Sequence, residues 1–588
     1  MVEKLDHRGP DGNDSVLIDN TFISHHHLWI TPEELGEKQP LRNSSGKIYI
    51  SFDGRIDNRD EINKLVGSTK KELNSVSDAA LFLLIYEKLK ENCFKKILGP
   101  YSVVIYDSKI NRVIGARDKL GERGFYYYID HNLFIAASEE SAILSHPDVS
   151  KKINEKTVSY FFAFEIPRDG STFYKGIREL LPAHYIVIES NNVTLKKYWE
   201  YEPNKIRYKY EDQYSDHFRE LLEQCVRSRM RCSTPVSIML SGGIDSSSIA
   251  AFASINNPHK KSARAISWVF NKLKECDESN YINETCGMYD LKRLQFNADK
   301  LWPLHEPETY FQNPNTPIEN AYRELKEKIY KLCSQNGSRL LLNGWYADRF
   351  YLGSEYRLLD LIRDFKINKT ISEVYSILNK NSWSNINKIP EFRKVFGFLR
   401  FIKPEYDPLN MIGWLTGFSR SNLSELAENN ESFQKYTNPK KTQKMFESIS
   451  YASPNTEQYH LSKHSIELDC PYRDLRLVEF MLNIPSYVIY SKESKKYIAQ
   501  KAMNKLLPYS ITANKISGSL TPLFRKGINN LKNGKLDTIL NSNDEWKRYV
   551  DINWIVENMN KNFDVEKREL IIWQCISFVS WLNKIQAN

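Results

Sequence analysis

The sequence predicts an α/β protein in two parts: a strand-rich sandwich over residues 1–197 and a doubly wound parallel sheet with helical additions over 198–588. Three observations predict it. The chain has 588 residues, more than one hydrophobic core holds. Apolar runs such as Lys47–Phe52, Tyr101–Tyr106 and Leu133–Ala137 alternate with turn residues through the first part, with two helices among them. Beyond a polar, Tyr/Lys-rich connector at Tyr198–Tyr214, short unbroken apolar runs alternate with stretches of helical spacing.

Each element has a local reason. Asp78 to about Asn92 reads as a helix opened by an N-cap carboxylate at Asp78. Asp212 to Met230 reads as the helix that starts the second part. Ser237–Leu240 is an apolar strand that stops at Ser241-Gly242-Gly243, where two glycines let the backbone turn tightly. Ser246-Ser247-Ser248 then opens a helix, and a glycine turn feeding a helix N-terminus favours phosphate. A Gly-Lys-Ser/Thr ending is missing, so this is not a Walker loop. Ala265–Phe270 is a second strand, followed by Asp277 and Glu278, which fit a helix cap and a nucleotide-facing role equally. Leu340–Leu342 is a third, running into Asn343-Gly344-Trp345-Tyr346-Ala347-Asp348. Residues 356–459 read as helical, with Trp383 and Trp414 taken as core, and 544–588 as a packed, Trp-rich terminal helix.

Composition excludes several classes. The net charge of +9 is a mild bias over this length, and no compact basic patch with interleaved aromatics suggests nucleic acid. The eight cysteines are scattered without a CxxC pair, which argues against a zinc site and a disulfide scaffold and fits a reducing cytoplasm. No signal peptide or membrane span is evident. His25-His26-His27 lie in one strand, where neighbours face opposite sides, so they do not converge on one ion.

The stretch Ser241-Gly242-Gly243-Ile244-Asp245-Ser246 resembles the SGGxDS loop of the PP-loop ATP pyrophosphatases. That resemblance implies ATP, with attack of a substrate on its α-phosphorus. His7-Arg8-Gly9-Pro10-Asp11-Gly12, Phe52–Asn58 and Ala116–Gly121 are similar to the N-terminal glutaminase-type domain of asparagine synthetases. The family's cysteine nucleophile is replaced by Val2, its NGEIYN turn by Asp53-Gly54-Arg55-Ile56-Asp57-Asn58, and the arginine of its HxRLS stretch by His27. These departures imply a glutaminase domain without glutaminase activity. Asn343–Ser354 is similar to the synthetase loop SGEGSDE, Ile466–Asp474 to ARVPFLD, and Ser494–Met503 to GxxKxxLRxAM.

The resemblance implies a nucleotide held by Leu240, Ser241, Gly242, Gly243, Asp245, Ser246, Ser247, Val269, Asn343 and Gly344. It implies Mg²⁺ on Asp245 and Asp348, and catalytic roles for Lys496, Tyr346 and Glu467. Within this superfamily the chain looks most like a lasso peptide cyclase, on Phe52–Glu61, Gly353-Ser354-Glu355-Tyr356 and Pro471–Leu482. Such an enzyme adenylates an Asp or Glu side chain of a precursor peptide and joins it to the peptide's N-terminal amine. A leader-binding protein and a leader peptidase are the implied partners. An ammonia-dependent asparagine synthetase, a β-lactam-type synthetase, a nucleotide-binding scaffold and a tRNA-modifying PP-loop enzyme remain as alternative readings.

Overall fold

The computed structural model describes residues 1–67, 75–189, 192–202, 204–257, 263–380, 389–398, 413–423, 446, 455–514, 518–531, 535–558 and 565–587. Trp383, named above, lies outside them.

The N-terminal part carries β1 (Asn13–Ile18), β2 (Thr21–His26), β3 (Leu41–Arg42), β4 (Ile48–Gly54), β5 (Tyr101–Asp107), β6 (Arg112–Arg117), β7 (Tyr126–Ile129), β8 (Phe134–Ala137), β9 (Ile177–Glu179), β10 (His184–Glu189) and β11 (Asn192–Lys197). β1 and β2 form a hairpin. An antiparallel sheet runs β11-β10-β6-β5-β4-β3, and a smaller one runs β8-β7-β9. In β4 the alternate residues Ile48, Ile50 and Phe52 are buried, as period-two spacing requires. Phe125, Tyr127, Leu180 and Ile186 fill the space between the two sheets. Helices Arg59–Val66 and Asp78–Leu89 cover the outer face of the large sheet through Ile62, Phe82 and Ile85. Helices Glu140–Ile143 and Glu155–Phe162 cover the small one through Ile143, Val158 and Phe162. The result is a helix–sheet–sheet–helix sandwich with more helix than the two stretches read from sequence.

Asp78 does not cap its helix. Ser77 does, its Oγ accepting from the Ala80 N–H at 3.0 Å. The Asp78 carboxylate is buried and is used on the Ile56 N–H and on Arg59 and Arg231 instead.

The second part is organised on β12 (Val236–Met239), β13 (Arg264–Val269), β14 (Lys292–Asn297), β15 (Leu340–Leu342) and β16 (Glu467–Asp469). They form one parallel sheet in the order β14-β13-β12-β15-β16. Helices Asp212–Arg229, Ile244–Ile255 and Leu475–Asn483 pack one face through Leu222, Ile249 and Val478. Helix Arg323–Gln335 packs the other, through Ile329, Tyr330 and Cys333 against Ile266 and Leu341. From β12 the chain steps outward to β13 and β14, then returns to β15 and β16 on the other side. The strand order therefore reverses between β12 and β15, and a crevice opens there at the carboxyl ends.

Trp414 is buried, donating its indole N–H to the Phe162 carbonyl at 2.9 Å. In the terminal helix Val565–Ala587, Trp573 and Trp581 donate to the carbonyls of Glu319 and Pro314 at 2.9 and 3.0 Å. These aromatics are core. Among the described residues, no helix is long and apolar enough to cross a membrane.

Candidate active site

The two glycine turns meet at the strand-order reversal. After β12, Gly242 takes φ +82°, which leaves the helix Ile244–Ile255 starting at Gly243 without a side-chain cap. Its first N–H groups and its dipole therefore face the crevice. After β15, Gly344 lies so close that a Cβ there would sit 2.9 Å from the Ser246 nitrogen. Only glycine fits, and the two loops are in backbone contact.

Across this junction the Lys496 ammonium donates to Asp245 Oδ2 at 2.6 Å and to Asp348 Oδ1 at 2.7 Å. Lys496 directly precedes the helix Tyr497–Ala502, while neighbouring Lys495 is exposed. Burial works against the Lys496 charge, and Asp245 and Asp348 outweigh it, so its pKa rises. Burial raises the Asp245 carboxyl, with Lys496 opposing and Asp348 reinforcing. Asp245 Oδ1 is buried without a hydrogen-bond partner, as is Asn343 Nδ2. A buried carboxylate oxygen left open, beside a second carboxylate and a bridging cation, is a donor set that fits Mg²⁺ carried on a polyphosphate. Tyr351 lies beneath Lys496, its ring centroid 5.4 Å from the ammonium, and Tyr472 donates to the Asp245 carbonyl at 3.3 Å. Sequence reading assigned neither tyrosine a role, although Tyr351 lies in the Asn343–Ser354 stretch and Tyr472 in Ile466–Asp474.

The remaining predicted residues fall into groups. Ser241 and Ser246 hydrogen-bond each other at 3.0 Å and stiffen the first loop. Ser247 is fully buried and accepts from Thr285 at 3.3 Å, so its hydroxyl faces the core and not the crevice. Leu240 directly follows β12 and Val269 ends the neighbouring β13, with the Leu240 carbonyl taken by the Ser267 hydroxyl at 2.7 Å. Asp277 accepts from the Phe270 N–H at 2.9 Å and Glu278 from the Gly518 N–H at 3.1 Å, so neither side chain caps the following helix.

Tyr346 occupies the second glycine position of the family loop and keeps a left-handed φ of +72°. A side chain in that region costs roughly 1–2 kcal/mol. Its ring lies against the Arg473 guanidinium, 4.6 Å from the centroid. Burial, which Arg473 only partly opposes, pushes its hydroxyl up to about 12. The hydroxyl is thus kept protonated, and the ring packs on Arg473 two residues before Asp348. Glu467 also sits elsewhere than expected. It opens β16 opposite Leu340, at the far end of the strand from the glycine turns, and pairs with Arg123 of the N-terminal part at 2.7 Å.

The N-terminal cavity of about 430 Å³ is lined by Arg8, His25, His27, Asp53, Arg123 and Glu467, among others. Burial brings His25 down to about 4 and leaves it neutral. Arg55 turns away into the interface, where its guanidinium meets Asp57 and Asp469, both at 3.3 Å. Arg229 completes this buried array, reaching Asp57 at 2.8 Å, Asp469 at 2.6 Å and Glu122 at 3.0 Å.

A parallel sheet with paired glycine turns and a bridged carboxylate pair at its reversal point defines a nucleotide-binding α/β protein. Comparison with known proteins narrows the class. Residues 1–199 match a glutamine amidotransferase domain and residues 217–583 match asparagine synthase. The chain belongs to the asparagine synthase family, whose members are ATP-dependent, AMP-forming carbon–nitrogen ligases. Asparagine synthetase (glutamine-hydrolyzing) 3 of Bacillus subtilis is 29% identical over 255 residues, 43% of this chain and 41% of that protein. Asparagine synthetase (glutamine-hydrolyzing) 1 of the same organism is 22% identical over 607 residues, covering 99% of this chain and 92% of that protein. Amidase chry2 of Gibberella zeae is 26% identical over 375 residues, 60% of this chain and 54% of that protein. Two of these three alignments thus span about half of the relative or less.

Proposed function

We propose that this protein is an ATP-dependent macrolactam-forming cyclase. It adenylates an Asp or Glu side chain of a precursor peptide and joins it to the peptide's N-terminal amine, releasing AMP and pyrophosphate. Mg-ATP supplies the activating group. Asp245 and Asp348 hold the metal, and the glycine turns hold the phosphates. Lys496 faces the charge that develops at the reacting phosphate, an interaction worth several kcal/mol in a dry site. Tethering amine and activated acid in one peptide replaces a bimolecular step.

The observation that carries the reading is the state of the passage between the N-terminal cavity and the sheet. Arg55, Asp57, Glu122, Arg229 and Asp469 fill it with buried ion pairs. The void beside them, of about 20 Å³, has room for about one water. Among the described residues these ion pairs stand between the cavity and the crevice, which favours an amine brought by the substrate. The reading carries with it a cytoplasmic location, a leader-binding protein and a leader peptidase. The names of the Bacillus subtilis relatives favour a second reading, an asparagine synthetase. Incubation with Mg-ATP and a candidate core peptide separates them. A peptide lighter by one water, with AMP formed and no dependence on ammonium, supports the cyclase. Asparagine formed from aspartate and ammonium, with the peptide unchanged, overturns it.

A further inference from the structure

The N-terminal part keeps a connection to the crevice that does not pass through its cavity. Its loop Asp118–Arg123 is held rigidly from within. The Asp118 carboxylate accepts from the N–H groups of Leu120, Glu122 and Arg123 at 3.0, 2.8 and 3.1 Å. The buried Arg117 guanidinium donates to the carbonyls of Gly121 and Arg123 at 2.8 and 2.6 Å. A loop fixed this way presents a fixed face, and that face lies against the synthetase part.

Two chains of contact leave it. In the first, the Leu120 carbonyl accepts from Arg473 at 2.6 Å and Glu122 lies 3.8 Å from the same guanidinium, which in turn lies on the Tyr346 ring. In the second, Glu122 pairs with Arg229, Arg229 with Asp469, and the Asp469 carbonyl accepts from the Asn343 N–H at 3.2 Å. Asn343 opens the loop that carries Asp348, and Tyr346 stands two residues before Asp348. The same loop is thus gripped at both points from one residue, Glu122. Arg473 and Arg229 are almost fully buried, so these contacts exclude water.

We infer that the Asp118–Arg123 loop is a strut that positions the Asp348 loop for metal binding, with Glu122, Arg229 and Arg473 as positioning residues. This gives the N-terminal part a role in the nucleotide reaction that needs no glutamine. The inference rests on Mg-ATP binding at this site, as the proposed function does, and not on the identity of the acyl substrate.

The test is the affinity of the full chain for ATP, measured by isothermal titration at graded Mg²⁺, for wild type, Glu122→Gln, Arg473→Lys and the double variant. Thermal melts and near-ultraviolet circular dichroism identify properly folded samples. The milder Arg473→Lys keeps a charge facing Glu122 if Glu122→Gln fails to fold. Each single variant is expected to raise the half-saturating Mg²⁺ about tenfold, the low end of what loss of an outer-shell partner does to metal affinity. ATP affinity at saturating Mg²⁺ stays within about twofold, and the double variant shifts no further than the larger single one, as members of one network do. His25→Ala, in the cavity but off the strut, leaves the Mg²⁺ midpoint unchanged. A loss of folded fraction alone would scale the titration without moving its midpoint. Variant midpoints equal to wild type, or a His25→Ala shift as large as theirs, overturn the strut. Wild type that binds Mg-ATP but activates no carboxylate refutes the ligase reading and leaves the strut standing. Wild type that binds no Mg-ATP overturns both.

Discussion

Replacing Arg229 by Met removes one guanidinium from three carboxylates, Asp57, Glu122 and Asp469, at 2.8, 3.0 and 2.6 Å. Asp57 and Asp469 keep Arg55, while Glu122 keeps only Arg473, 3.8 Å away. Breaking a buried pair on one side costs about 3–5 kcal/mol, because the stranded charge stays out of water. Folds of this kind rest on about 5–15 kcal/mol, so the variant stands near its stability limit at neutral pH. The cost also depends on pH. Burial already pushes Glu122 up to about 7 from an ordinary 4.5, against the pull of Arg229 and Arg473. A carboxyl with a raised folded pKa stabilises fully below its unfolded value and loses that contribution as pH rises through the folded one. Without Arg229 the folded pKa moves higher still, so the gap between variant and wild type widens between pH 5.5 and pH 7.5. Urea titrations at the two pH values measure it. The expected cost is about 3–5 kcal/mol at the higher pH and less by up to about 1 kcal/mol at the lower, where Glu122 is protonated in both folded proteins. A cost under about 1 kcal/mol, or one independent of pH, would refute a buried, coupled array.

Other substitutions probe the crevice. Lys496→Met is expected to lower peptide-dependent ATP–pyrophosphate exchange about 10²–10³-fold, as loss of a charge-stabilising donor does, with the fold intact by circular dichroism. Gly344→Ala places a Cβ 2.9 Å from the Ser246 nitrogen and should force the two loops apart, which titration with Mg-ATP reads as weakened binding by about tenfold or more. Glu467→Gln removes the nearer carboxylate of Arg123, which keeps Asp53 at 3.7 Å, and should cost about 1–3 kcal/mol in a urea titration while leaving exchange within about threefold. Abolished exchange in that variant would restore the catalytic role read from sequence.

Local chemistry made the crevice legible before any coordinates. Ser241–Gly243 and Asn343–Gly344 each end an apolar run at a glycine, and those runs became adjacent strands β12 and β15. Lys496 was legible from its place in the motif, and its ion pairs with Asp245 and Asp348, against exposure of Lys495, distinguish the two lysines. The interface was not legible. Arg55 and Asp469 stand 414 residues apart, and Glu122 and Arg229 stand 107 apart, so no periodicity connects them. From sequence, Asp53 and Arg55 read as losses from a glutamine pocket. Arg55 and Asp57 are instead the N-terminal half of the buried array, a gain visible only once both parts are folded. Ser247, Tyr346 and Glu467 show the limit of carrying a role by alignment. Tyr346 departs from the family glycine while the other two fall in aligned stretches, and the three side chains point into the core (Ser247), against Arg473 (Tyr346) and towards Arg123 (Glu467).

The central claim is that Asp245, Asp348 and Lys496 form the adenylating centre of a peptide ligase. ATP–pyrophosphate exchange with a candidate core peptide tests it most directly, in wild type and Asp245→Ala. An adenylating centre here gives exchange that needs both Mg²⁺ and peptide and falls about 10²-fold or more in the variant. ATP binding without exchange on any carboxylate, or exchange indifferent to Asp245, would contradict it.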